Sequence, residues 1–111
     1  MKIWVDDIRP APEGYVWCKS ANEALRTIMR HKDEIALISL DHDSGLYHKD
    51  GGDFIKVLTE LERLSRGSTA ANRAYWSVRC KEIVFKLHTA NPVGRENMRR
   101  IIEQNGWREN K

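Results

Sequence analysis

The chain has 111 residues, which is enough for one hydrophobic core and too few for two, so the sequence predicts a single domain over residues 1–111. Apolar residues make up 41% of the chain and charged residues 32%, and this balance excludes an intrinsically disordered protein. The formal net charge of +3 favours anionic partners without identifying one.

No segment has the composition of a membrane anchor or an export signal. The longest strongly apolar stretch spans only residues 35–40, and residues 1–10 lack the apolar core of a signal peptide. We therefore expect no membrane association and a cytoplasmic location. Cys18 and Cys80 lie far apart, with no histidine at zinc-finger spacing, so reduced thiols are expected.

The first predicted element is a short strand over residues 2–5, a β-branched and aromatic run that stops at Asp6. The loop that follows contains three residues that oppose helix formation, namely Pro10, Pro12 and Gly14. A second strand is expected over residues 15–18, although the sequence leaves open the pairing and direction of this strand near Tyr15.

Ser20 and Glu23 form a capping box that opens the first predicted helix. The apolar run at residues 35–40 is typical of a central parallel strand covered on both faces. Gly51 and Gly52 then precede a second helix, whose apolar stripe repeats at helical spacing: Phe54, Val57, Leu58, Leu61 and Leu64.

Residues 65–77 are rich in glycine, serine and asparagine and predict a loop. The basic stretch around it, residues 63–81, has no acidic residue and could contact nucleic acid, although a solvated basic loop is the alternative. A strand is predicted over residues 82–89. The last helix, over residues 91–106, has asparagine at its cap and proline at its first position.

This alternation of strands and helices predicts an α/β fold with a small, doubly wound and mostly parallel sheet. In such sheets the ligand cleft lies beyond the carboxyl ends of the strands. Three predicted strands end there in polar clusters: Asp6-Asp7, Asp41-His42-Asp43 and His88-Thr89-Ala90-Asn91.

Carboxylates this close repel one another unless a cation bridges them, and a hard cation such as Mg²⁺ binds their oxygens while keeping water ligands for a phosphate. Asp6, Asp7 and Asp41 are therefore predicted as metal ligands, with Mg²⁺ as the cofactor. The alternative is that each acidic residue only caps a loop or a helix. That alternative explains one aspartate more easily than three strand ends.

The start of the last helix is predicted to bind phosphate, because its unpaired N–H groups and its dipole favour an anion beside Thr89 and Asn91. Arg9 in the first loop and Asn97, past the helix cap, are further candidates for phosphate contact. For each of these residues an ordinary structural or surface role is the alternative.

Histidine transfers protons near neutral pH. His88 adjoins the predicted phosphate-binding turn and is predicted as a catalytic acid or base, or else as a contact residue. His42 and Asp43 are possible further members of the site. His42 could instead point away from its neighbours, since strand side chains alternate between faces.

The order and spacing of these residues resemble a response-regulator receiver domain. Four features carry the resemblance: Asp6-Asp7, Leu40-Asp41, Gly51-Gly52 and Thr89-Ala90. It implies a flavodoxin-like fold in which the first acidic pair binds Mg²⁺, Asp41 accepts a phosphoryl group and Thr89 contacts that group. The fold is expected to be abbreviated, because the sequence shows neither a helix between the first two strands nor a final strand with a lysine.

The chain is more closely similar to the cyclic-phosphate processing receiver domain family. Four segments carry this similarity: DDIRPAPEGYV, LDHDSG, GGDFIKVL and HTANPVGRENM. The similarity implies processing of a cyclic phosphate, either on a damaged RNA end or on a nucleotide.

We therefore predict a Mg²⁺-dependent phosphoesterase acting on cyclic phosphates, with Asp41 and His88 as catalytic residues and RNA or a nucleotide as substrate. Asp41 could alternatively act as a nucleophile. Two other functions stay open. One is a non-catalytic, degenerate receiver that binds a phosphorylated ligand or a protein partner, and the other is a phosphoacceptor signalling module.

Overall fold

The structure of the protein is a computed structural model that describes residues 1–43 and 53–111. Gly51 and Gly52, which the sequence places before the second helix, lie outside the described residues. The elements follow in the order β1 (Lys2–Val5), β2 (Tyr15–Cys18), α1 (Ala21–Arg30), β3 (Leu37–Leu40), α2 (Ile55–Arg66), α3 (Ala70–Glu82), β4 (Val84–Leu87), α4 (Pro92–Gln104) and β5 (Arg108–Glu109).

All five strands form one parallel sheet with the order β2-β1-β3-β4-β5, which is the order of flavodoxin-like folds. This confirms the predicted α/β, receiver-like class, with β3 as the central strand. The strand near Tyr15, whose pairing the sequence left open, is a parallel edge strand beside β1. Residues 6–14 connect β1 to β2 through turns and bends.

Helices cover one face of the sheet rather than both. Parallel crossovers are right-handed, so connections that step along the sheet in the same direction place their helices on the same face. The steps from β2 to β3, β3 to β4 and β4 to β5 share one direction and carry all four helices. The opposite step, from β1 to β2, is the short loop 6–14. The doubly wound arrangement is therefore absent from the described part of the chain.

The two faces of the sheet differ in composition as a result. The covered face carries apolar side chains that are buried under the helices: Ile3, Val5, Ile38, Leu40 and Phe85. Side chains alternate along each strand, so their neighbours point to the opposite, open face. The aromatic residues on that open face, Trp4, Tyr15 and Trp17, are half-buried.

Residues 70–82 form helix α3, so the predicted loop over residues 65–77 was wrong there. The Thr69 side chain caps this helix by accepting a hydrogen bond from the Asn72 N–H at 3.0 Å. Only Trp76 and Cys80 of the helix are buried, and α3 packs mainly on α2. A helix with so few buried positions has little apolar periodicity, which is why the sequence pattern missed it.

The end of the sheet has one short strand more than the sequence analysis located. A final strand does exist, because β5 pairs in parallel with β4, but its two residues include no lysine. Glu109 of β5 accepts a hydrogen bond from Arg99 of α4 at 2.8 Å, an ion pair that pattern analysis cannot detect. The strand predicted over residues 82–89 is shorter, since Glu82 ends α3 and Ile83 is its C-cap.

None of the helices formed by residues 1–43 and 53–111 combines the length and apolarity that a membrane span requires. Cys18 and Cys80 are free and buried, as expected for reduced thiols. Burial raises the pKa of Cys80 to about 12, so this thiol stays protonated at neutral pH.

Candidate metal and phosphate site

Three residues that follow strands line up at the carboxyl edge of the sheet because each extends the ladder of backbone hydrogen bonds. The Asp6 N–H donates to the Cys18 carbonyl at 3.1 Å, and the Asp41 N–H donates to the Val5 carbonyl at 2.9 Å. The His88 N–H donates to the Leu40 carbonyl at 2.9 Å. The backbone therefore fixes the relative position of these residues before any side chain contributes.

Asp6, Asp7 and Asp41 each offer a carboxylate oxygen, and the three oxygens lie within 4.8 Å of one another. The predicted convergence of these residues is thus found. Three carboxylates at this separation match what a hard divalent cation requires, since Mg²⁺ binds oxygen ligands at ~2.1 Å. Their donor set fits the implied metal, and their role as ligands stays a prediction.

Asp6 is fully buried and is held in its charged form by its surroundings. Its Oδ1 atom accepts hydrogen bonds from the backbone N–H groups of Ile8 and Arg9, both at 2.9 Å. Burial alone would raise the pKa of Asp6, but these two N–H groups, the His88 ring and the Arg9 guanidinium together lower the pKa below its ordinary value of 3.8. Asp6 is therefore a carboxylate at neutral pH.

Arg9 bridges two of the carboxylates from the solvent side. Its Nε donates to Asp6 Oδ2 at 3.0 Å, and its Nη2 lies 3.4 Å from Asp41 Oδ1. The Arg9 side chain is 48% exposed, whereas that of Asp6 is inaccessible to solvent. The guanidinium thus supplies positive charge at the mouth of the cluster, where an incoming anion would first arrive.

His88 lies between Asp6 and the central strand, and both of its ring nitrogens have protein partners. Nε2 lies 3.0 Å from Asp6 Oδ2, and Nδ1 lies 2.8 Å from Ser39 Oγ. Burial lowers the pKa of His88 below 6.5, against the raising effect of Asp6, so the ring is neutral at neutral pH. Because a carboxylate can only accept, Nε2 carries the proton and Nδ1 accepts from the Ser39 hydroxyl.

The chain of Asp6, His88 and Ser39 has the residue types of a serine hydrolase triad but not its accessibility. Ser39 is fully buried within the central strand, so no substrate atom can reach its hydroxyl. His88 itself has a side chain only 9% exposed. The arrangement orients Asp6 and does not present a serine nucleophile.

Two tryptophans that sequence reasoning missed hold the loop that carries Asp6 and Arg9. The Trp17 indole N–H donates to the Asp6 carbonyl at 2.6 Å, and the Trp4 indole N–H donates to the Arg9 carbonyl at 2.9 Å. Trp4 also stacks on the His88 ring, with centroids 3.7 Å apart and planes 5° apart. The period-2 alternation in β1 and β2 is the sequence signal that places both indoles on this face.

The start of α4 forms the second half of the candidate site. The Asn91 side chain accepts from the Gly94 N–H at 3.0 Å, and the Asn91 N–H donates to Thr89 Oγ1 at 3.1 Å. Asn91 therefore caps the helix as predicted. Thr89 is almost fully buried, and its hydroxyl accepts one hydrogen bond and still has its own hydrogen to donate.

His42 and Asp43 lie beside this helix start. His42 Nδ1 is 2.7 Å from Asp43 Oδ1, and the hydrogen bond from His42, together with one from Asn91, lowers the pKa of Asp43 against the opposing effect of burial. His42, Asp43 and Asp53 form a second group with metal-ligand spacing. Gly94 makes room for His42, since a Cβ at Gly94 would lie under 3.0 Å from three atoms of its ring.

Two predicted contributors lie outside these contacts. Asn97 is half-buried in α4, and no contact in the described part of the chain links it to the carboxylates or to His88. Residues 63–81 comprise the end of α2, a short connection and most of α3. Arg79 of this segment donates to the carbonyl of Lys32, which precedes β3 and so lies away from the carboxyl edge of the sheet. Their role as a nucleic-acid contact stays a prediction.

Comparison with known proteins gives one match. The family described as the cyclic-phosphate processing receiver domain matches residues 1–104. No curated protein and no solved structure gives a significant match.

Proposed function

The chain belongs to the cyclic-phosphate processing receiver domain family, and from this premise we propose that it opens a cyclic phosphate on a nucleotide or an RNA end with the help of a divalent cation. The observation that carries the proposal is the convergence of three carboxylate oxygens within 4.8 Å at the carboxyl edge of the sheet. Three carboxylates this close together repel a phosphate unless a bound cation neutralises their charge.

In this proposal Asp6, Asp7 and Asp41 hold the cation, which when bound would neutralise the carboxylates and polarise a phosphoryl oxygen. Arg9 contacts a second phosphoryl oxygen. It already lies between Asp6 and Asp41 and is half-exposed, so it can turn towards an anion once a cation takes over its bridging role. In this proposal Arg9 supplies the positive charge that the lysine of the final strand supplies in a receiver domain.

The reaction itself adds water across one phosphorus–oxygen bond. A water oxygen bonds to phosphorus, the bond from phosphorus to one ribose oxygen breaks, and the proton lost by the water ends on that ribose oxygen. The product is a phosphate monoester. The N-terminus of α4 is proposed to lie beside the negative charge that develops on the phosphate, because the helix dipole favours an anion there. Thr89, which is almost fully buried, supports the turn before this helix by accepting the hydrogen bond from the Asn91 N–H.

His88 is proposed to position Asp6 rather than to transfer the proton. The reason is that Nε2–H is bound to Asp6 and Nδ1 to Ser39, so a proton transfer would first have to break one of these hydrogen bonds. A histidine in this position keeps the Asp6 carboxylate charged and correctly oriented for a cation.

Phosphorus NMR of a 2′,3′-cyclic nucleotide tests the proposal. We expect the cyclic phosphate resonance to be replaced by a monoester resonance when protein and Mg²⁺ are both present, and to persist when EDTA removes the cation. A cyclic resonance that persists at stoichiometric protein with Mg²⁺ would exclude hydrolysis. Incubation with a small phosphodonor followed by mass measurement separates the signalling alternative, since only a phosphoacceptor gains an acid-labile phosphoryl mass.

A further inference from the structure

The open face of the sheet combines aromatic and basic side chains, a combination that packing of the fold does not require. Register and alternation place nine side chains on it: Lys2, Trp4, Tyr15, Trp17, Leu37, Ser39, Val84, Lys86 and Arg108. Three of these are basic, three are aromatic and none is acidic. The described structure has no helix over this face, and Lys2, Lys86 and Arg108 are exposed.

We propose that this open face binds single-stranded nucleic acid, with bases stacked on the aromatic rings and phosphates paired with the basic side chains. Aromatic residues on a sheet with surrounding positive charge form the usual platform for unpaired bases. Neighbouring strands lie ~4.8 Å apart, so the span from β2 to β4 is about 15 Å, which suits two or three nucleotides.

The aromatic residues are already arranged as a connected group. Trp4 and Tyr15 meet edge to face with centroids 5.8 Å apart, and Lys2 Nζ lies 4.8 Å from the Tyr15 ring. Trp17 follows Tyr15 on the same face of β2, and Lys19 Nζ lies 4.4 Å from its ring. Tyr15 and Trp17 thus each have a lysine ammonium group close enough to pair with the phosphate of a base stacked nearby.

Charge excludes a second copy of the chain as the favoured occupant. A symmetric dimer through this face would bring basic residues against basic residues, because a two-fold interface buries the same patch on both partners. No acidic residue of the face would compensate that repulsion. A polyanion with flat apolar bases satisfies both the charge and the rings.

The open face of the sheet adjoins the candidate site. Trp4 stacks on His88. The indole N–H groups of Trp4 and Trp17 donate to the backbone carbonyls of Arg9 and Asp6. A strand lying across the face can therefore deliver its terminal phosphate to the carboxyl edge. This inference rests on the proposed function only for the chemistry at that phosphate, and it narrows the substrate class to a single-stranded RNA end rather than a free nucleotide.

Binding is tested by fluorescence anisotropy with a labelled single-stranded RNA of roughly eight nucleotides that ends in an ordinary 3′-hydroxyl, in EDTA. We expect Lys86→Glu and Lys2→Glu to weaken binding by about tenfold or more and to reduce its salt dependence. The matched control is Lys81→Glu, which makes the same charge change on an exposed residue of α3 and should alter affinity less than about twofold.

Tryptophan emission gives a second readout. Trp4 and Trp17 should be quenched when RNA stacks on them, whereas Trp76 and Trp107 are buried and should be unaffected. Lys86→Glu changes an exposed residue, and its thermal unfolding should match that of wild type, so weak binding cannot be attributed to misfolding. A duplex of the same sequence should bind at least about tenfold more weakly, because paired bases cannot stack on the rings.

Three results would overturn the inference. One is the absence of single-strand binding, and another is an equal loss of affinity in Lys81→Glu, which would place the contact on the basic helical surface. The third is a wild-type dimer in sedimentation that Lys86→Glu dissociates, which would identify a second copy as the occupant. None of these bears on hydrolysis of a cyclic mononucleotide, so failure of the platform and failure of the proposed function are distinguishable.

Discussion

Asp41→Asn should reduce hydrolysis of a 2′,3′-cyclic nucleotide by about 10³-fold or more while leaving the fold intact. The substitution removes one of three charges that the proposed cation requires, and metal stabilisation of a phosphoryl transition state is worth several kcal/mol. Stability should change little, since the asparagine oxygen can still accept the hydrogen bond that Asp41 Oδ1 receives from the His42 N–H at 2.8 Å. Turnover is measured by phosphorus NMR and folding by circular dichroism.

Two matched variants serve as controls for Asp41→Asn. Asp33→Asn makes the same change on an exposed residue that bonds to Tyr75, and it should keep full activity. Asp43→Asn alters the second group with metal-ligand spacing and should also keep most of the activity. An Asp41→Asn protein that hydrolyses at the wild-type rate would remove Asp41 from the mechanism, and a larger loss in Asp43→Asn would move the cation to the second group.

His88→Ala should lower the affinity for Mg²⁺ by about 10–100-fold, the usual effect of losing a side chain that orients a metal ligand. Turnover at low Mg²⁺ should fall by roughly 10²-fold. The physical reason is that Asp6 loses the hydrogen bond from Nε2 at 3.0 Å and Ser39 loses its buried partner. Calorimetric titration with Mg²⁺ and turnover at several Mg²⁺ concentrations provide the measurements.

The dependence on Mg²⁺ separates the two roles that His88 can have. A positioning role predicts that turnover in His88→Ala recovers at saturating Mg²⁺, and that His88→Gln, which keeps an N–H donor, retains more affinity. If the 10²-fold loss persists when the cation is saturating, His88 transfers a proton in the reaction, as the sequence alone predicts. The positioning proposal would then be wrong.

Much of the fold could be predicted because the strands carry strong local signals. The aspartate after β1, the proline-rich loop and the capping box at Ser20 each fix an element boundary through one physical effect. The same reasoning located Asp6, Asp7 and Asp41 at one edge, since parallel strands share their carboxyl end.

Helix coverage of the sheet could not be predicted from element types alone. It depends on strand order, and the sequence left open where the strand near Tyr15 pairs. Once β2 is known to pair with β1, right-handed crossovers place all four helices on one face. Helix α3 was missed for a different reason, since only Trp76 and Cys80 give it an apolar side.

The contacts around His88 also lay beyond sequence reasoning. Spacing showed that His88 follows a strand beside Thr89, but not that its ring turns back over the sheet to contact Trp4 and Ser39. That orientation depends on an open face over which residues 1–43 and 53–111 place no helix. The short helix-free loop over residues 6–14 therefore accounts both for the environment of His88 and for the half-buried aromatic residues on this face.

The proposed metal site is tested by a crystal structure of the protein soaked with Mn²⁺ and a 2′,3′-cyclic nucleotide, with the ion located by its anomalous signal. We predict an ion about 2.2 Å from oxygens of Asp6, Asp7 and Asp41, with the phosphate in hydrogen-bond contact with Arg9. An ion bound instead by His42, Asp43 and Asp53, with Arg9 still bridging Asp6 and Asp41, would contradict the proposed role of the three aspartates.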